Sequence, residues 1–99
     1  MISATMTGAN QYAVTVAEKT AVDGAENDHE FKVELDPEFY QALCAGGVTH
    51  EWVLVQSFHF LLEREDVGQI LPQFNLRQIS DYFPEFVTEM RLRLVERTR

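Results

Sequence analysis

The segment 49–65, THEWVLVQSFHFLLERE, is the longest apolar-periodic stretch of the chain and contains neither glycine nor proline. Leu54, Val55, Phe58, Leu61 and Leu62 recur at spacings of three and four, which sets them on one face of a helix. Thr49 suits the N-cap, and Glu51 places a negative charge in the first turn, where the helix dipole favours it. Asp66-Val67-Gly68 offers an exit, with Gly68 taking the left-handed conformation. Gln56, Ser57, His59, Glu63 and Arg64 make the segment too polar to cross a membrane. A central helix is therefore predicted near 49–65.

This helix carries a second apolar side. At about 100° per residue, Val53 and Phe60 fall away from the main face, with small Ser57 between them. A helix with one wet side does not place Val and Phe there. The face is covered either by a second copy or by the hairpin or C-terminal helix of the same chain. The expectation carried forward is a two-fold homodimer with Val53, Ser57 and Phe60 in its interface.

Residues 11–19 alternate, with Tyr12, Val14 and Val16 on one side and Ala13, Thr15 and Ala17 on the other. Residues 30–35 alternate again, with Phe31, Val33 and Leu35 inward. The Gly- and acid-rich stretch 20–28 between them reads as a loop, so the two strands form an antiparallel hairpin. A lone hairpin is marginal in water and needs helices or further strands on it. Asp36-Pro37-Glu38 starts a helix that Gly46-Gly47 ends. Residues 66–75 read as irregular, with Ile70, Leu71 and Phe74 tucked into the core. Asn75 caps a short helix over 76–82 with Leu76, Ile79, Tyr82 and Phe83 as its apolar side, and Pro84 opens a last helix to about Glu96. Part of that last segment, Met90 to Leu94, also alternates like a strand. Residues 1–10 read as a flexible leader without the basic start or apolar run of a signal peptide, and 11–99 as one small α+β domain.

The strings SFHFLLERED (57–66), IL (70–71), FNL (74–76) and YFPEF (82–86) resemble a family of small bacterial proteins with the pattern SFxFLLERE, IL, F-acid-L, YFPE. The resemblance covers about 11–89, and Asn75 stands where the pattern has an acid. The family carries no established activity, so the resemblance implies none.

Sixteen acids against eight bases give a net charge of −8, which repels phosphate backbones and argues against direct nucleic-acid binding. The imbalance is concentrated in residues 1–50, with two lysines against eight acids. The arginines Arg91, Arg93, Arg97 and Arg99 form a tail suited to the acidic half of another chain. A single cysteine, Cys44, excludes an internal disulfide and fits the cytoplasm.

Few residues carry candidate chemistry. His59 and Glu63, four apart, have metal-ligand spacing, but two ligands do not make a site, and His50-Glu51 lacks the second histidine of HExxH. Trp52 beside His59 reads as boundary packing, and Cys44, with no neighbouring base, as a small buried hydrophobe. Arg64 reads as structural, held by a carboxylate such as Asp81 or Glu85. No catalytic, cofactor or metal residue is assigned. The expected function is a non-catalytic cytosolic interaction or accessory protein. The alternatives are a small-ligand binder or enzyme using His59, Glu63, Trp52 and Cys44, and an acidic, antitoxin-like partner of a basic protein.

Overall fold

A computed structural model describes residues 2–19, 26–44 and 48–98. The fold is α+β, with strands β1 (Ile2–Gly8), β2 (Gln11–Lys19) and β3 (Glu26–Glu34), helices α1 (Pro37–Cys44) and α2 (His50–Leu62), strand β4 (Gln73–Asn75), and helices α3 (Ile79–Tyr82) and α4 (Phe86–Thr98). The sheet order is β1-β2-β3-β4. The hairpin read from residues 11–19 and 30–35 is present, pairing Gln11 with Glu34 through Lys19 with Glu26. Of the loop expected at 20–28, residues 26–28 are instead the start of β3, where pairing with β2 extends the ladder, while 20–25 and the Gly46-Gly47 helix stop lie outside the described residues.

The expected leader is instead β1. It pairs antiparallel with β2, and the turn between them places Asn10 at φ 61, a left-handed conformation that asparagine tolerates. The register slips once, between Met6 and Gly8, a β-bulge. β4 joins the other side of β3 in parallel, Val33 opposite Phe74, and parallel strands need a long crossover, here supplied by α1 and α2.

Alternation sends Tyr12, Val14, Val16, Phe31 and Val33 to one face of the sheet, where they are buried, while Lys32 and Glu34 stay exposed on the other. The helices cover the buried face. Tyr40 and Leu43 face inward from α1. The Thr49 hydroxyl oxygen accepts from the Trp52 N–H at 3.1 Å and starts α2 as expected. The other end differs. α2 stops at Leu62, and Gly68 lies in a 3-10 turn, Val67–Gln69, rather than capping the helix. That turn is braced by the Asp66 N–H donating to Gln69 Oε1 at 3.0 Å.

Asn75 caps the next turn, accepting from the Arg77 N–H at 3.0 Å. Its amide nitrogen also donates to Glu34 at 3.2 Å and Asp36 at 3.3 Å. An aspartate there would cap equally well but would add a third carboxylate to that pair, so the amide is the better fit. Residues 86–98 are helix, which settles the strand alternative: Phe86, Met90 and Leu94 are spaced by four and fully buried, whereas Leu92 is exposed.

Both sides of α2 are covered within one chain. Val53, Leu54, Ser57, Phe58, Phe60 and Leu61 are all buried. Phe58 meets Phe31 of β3 and Phe74 of β4, with ring centroids 5.2 and 6.0 Å apart. On the second side Phe60 meets Phe83 and Phe86 edge-on at 5.9 and 5.0 Å. The expectation that Val53, Ser57 and Phe60 form a dimer interface is therefore corrected. All three have no exposed surface in the single chain, and the approach to α4 fills the place reserved for a second copy. The Ser57 hydroxyl donates to the Val53 carbonyl at 2.7 Å, so its polar group is satisfied inside its own helix.

Candidate functional site

The four residues with candidate chemistry do not form a site. His59 is exposed. Glu63 is taken by two arginines, Arg93 at 2.6 Å and Arg64 at 3.4 Å. The hydrogen bond from Arg93 holds the Glu63 carboxyl below the usual carboxylate range, with Arg64 adding to the effect. Trp52 is half-buried in the first turn of α2, and the Cys44 thiol donates to the Tyr40 carbonyl at 3.6 Å. None of the four lines either hollow described below. Among the described residues no group of three or more His, Cys, Asp or Glu is placed to hold a metal.

Arg64 packs beside the apolar run at the end of α2. Its guanidinium lies over the Phe60 ring, 3.7 Å from the centroid, while Nε donates to Glu85 at 3.2 Å and Nη1 to the Phe60 carbonyl at 3.4 Å. The grip is spread over Glu85 and Glu63 rather than bidentate on one acid. Arg93 reaches the same ring at 5.7 Å. Arg93 and Arg91, expected to serve another chain, are engaged in this one: Arg93 with Glu63 and Glu89, and Arg91 through a 2.9 Å bond to the Ala42 carbonyl. Arg64→Lys keeps one ionic contact and loses the planar stack on Phe60. With the Arg64 side chain 25% exposed, the expected cost is about 1 kcal/mol, or a Tm lower by about 4 °C in calorimetry. An unchanged Tm would contradict this role.

A polar cluster that sequence reasoning missed sits at the start of α2. The Tyr12 hydroxyl is hydrogen-bonded to His50 Nδ1 at 2.6 Å, the Tyr40 ring lies 4.1 Å from that imidazole, and the Tyr40 hydroxyl donates to the Val48 carbonyl. Burial pushes both phenols above their ordinary pKa, so they stay neutral near pH 7 and do not act as bases. The cluster ties β2, α1 and α2 together.

An apolar hollow lies at the far end of α2, a cleft of about 280 Å³. Leu61, Ile70, Phe74 and Ile79 form its buried floor, and Phe83 closes one wall. Leu71, expected from sequence in the core, and Tyr82, expected on the apolar side of the short helix, are 49% and 68% exposed on its rim. The polar lining is Glu65, Gln69 and Gln78. A second, more polar hollow lies beside it, lined among others by Gln11, Glu34, Gln73 and Asn75. Phe74 and Gln78 line both, so the two hollows meet at β4. Among the described residues lining the two hollows, Glu65 and Glu34 carry the charges; Glu34 lies on the outer sheet face with Lys32 and accepts from the Asn75 amide at 3.2 Å. The lining comes from residue 11 and from 33–34, 61–65, 69–75 and 78–83, so no local motif could have marked it.

No family model, curated protein or solved structure matches the chain. Among the described residues no helix is long and apolar enough to cross a membrane.

Proposed function

We propose that this chain is a non-catalytic interaction protein of the cytoplasm, acting as a homodimer, whose trough beside β4 takes a basic, apolar-anchored segment of another protein. The observation that supports this most is the chemistry of the trough. Its floor is apolar, two large apolar side chains stand open on its rim, and among the described residues its charged lining is the carboxylates of Glu65 and Glu34. An apolar anchor fits the cleft, and a lysine or arginine beside it meets the acids. The net charge of −8 draws basic partners from a distance. This keeps the part of the antitoxin-like alternative that concerns charge and sets aside the enzyme alternative, whose four residues do not converge.

A displayed peptide library is the direct test. Enriched peptides are expected to pair Leu, Phe or Trp with nearby Lys or Arg. Leu71→Glu/Tyr82→Glu is expected to weaken the best peptide at least about tenfold, a loss of about 1.4 kcal/mol, while the Tm stays within about 2 °C because both positions are exposed. Enrichment without a basic residue, or binding that survives the double substitution, would overturn the reading.

A further inference from the structure

β1 is an edge of the sheet. Its ladder partner is β2, and among the described residues no backbone group of another segment hydrogen-bonds to it. Natural edge strands are blunted by brevity, proline, charge or a bulge. The opposite edge has such devices, since β4 spans three residues and follows Pro72. β1 spans seven residues without a charged side chain or a proline. Its bulge between Met6 and Gly8 disturbs only the end beside the turn and leaves 2–6 in regular register.

The neutrality extends beyond the strand. Residues 1–17 contain no charged side chain in a chain of net charge −8. β1 and the neighbouring part of β2 thus form an uncharged strip on an acidic protein. Two copies repel each other everywhere through their net charge, and least along that strip.

We infer that β1 is the homodimer interface: two copies pair β1 with β1, antiparallel about a two-fold axis at Ala4, and join two four-stranded sheets into one of eight. The inference rests on the homodimer reading above and gives it a surface. The side chains set the register. An axis at Ala4 puts Ile2 opposite Met6 and Ser3 opposite Thr5. Ile2 and Ala4 are half-buried against the core, and Met6, in the same alternation, is 56% exposed until Ile2 of the other copy lies beside it. Ser3 and Thr5 are exposed on the opposite face and match hydroxyl to hydroxyl. A slip of one residue would set inward against outward side chains. An axis at Thr5 would run Ser3 into Thr7, at the bulge. The contact is isologous and closes on itself, so it yields a dimer and not a fibre. A ladder this short lies at the small end of specific interfaces, so association is expected over roughly 10–500 µM.

Sedimentation equilibrium across that range tests it, with circular dichroism confirming the fold of each variant. The wild type is expected to pass from monomer to dimer. Ser3→Lys/Thr5→Lys opposes lysine to lysine at both outer pairs and is expected to weaken association at least tenfold. Ser3→Lys/Thr5→Glu opposes lysine to glutamate at the same pairs and is expected to associate at least as well as wild type. A wild type that stays monomeric overturns both the dimer and this interface. A wild-type dimer that the lysine pair leaves intact overturns β1 while the dimer stands. Equal weakening in both variants overturns the Ala4 register and the proposal with it.

Discussion

Phe60→Glu is expected to unfold the chain. Phe60 has no exposed surface, meets Phe83 and Phe86 edge-on, and is covered by the guanidinium of Arg64. Losing a buried phenylalanine costs about 3–5 kcal/mol. Burying a carboxylate adds several more or forces its protonation, and a domain of this size has about 5–15 kcal/mol in total. Arg64 and Arg93, 3.7 and 5.7 Å from the ring centroid, offset part of the charge but cannot replace the lost contacts with Phe83 and Phe86. Circular dichroism should show loss of the cooperative urea transition. A well-folded variant of any oligomeric state would mean that α4 does not pack on this face.

Phe86→Ala is the second large effect. Phe86 stands between two helices, stacked on Phe39 of α1 at 6.2 Å and edge-on to Phe60 of α2 at 5.0 Å. It is fully buried at the first turn of α4. Truncation leaves a void that α1 and α2 cannot both close, so about 3–5 kcal/mol should be lost. The urea midpoint should fall with little change in slope. A loss under about 1 kcal/mol would show that the three helices repack around the gap.

Why did periodicity find some of this fold and miss the rest? The β2–β3 hairpin and the central helix were legible because their patterns are long and carried by large side chains such as Tyr12, Phe31, Phe58 and Leu61. β1 has the same alternation, but Ala4, Ser3 and Thr5 are too small to make it stand out, and pairing with β2 decides its state. β4 is too short to alternate and gains its strand character only from β3. The second apolar side of α2 was legible as a covered face. What covered it was not, because Val53, Ser57 and Phe60 record that a neighbour exists and carry no information about which chain supplies it. Arg64 and Glu85 could be matched because an acid stood ready in the YFPE turn. Tyr12 and His50, 38 residues apart, offered no such cue. Leu71 and Tyr82 differ for the opposite reason: hydrophobic type alone does not fix burial, and both rim a cleft.

The parallel joint between β3 and β4 bears on the order of assembly. β1, β2 and β3 are consecutive and pair with near neighbours in sequence, whereas Lys32 must find Gln73 across the whole α1–α2 crossover. Closing that longer loop gives only three paired residues, so the joint forms late and opens first. Phe74, the residue at its centre, is also where the two hollows meet. The trough is thus hung on the shortest ladder of the sheet. A segment that fills it binds the closed strand in preference to the open one, so occupancy is felt as slower amide exchange along β4.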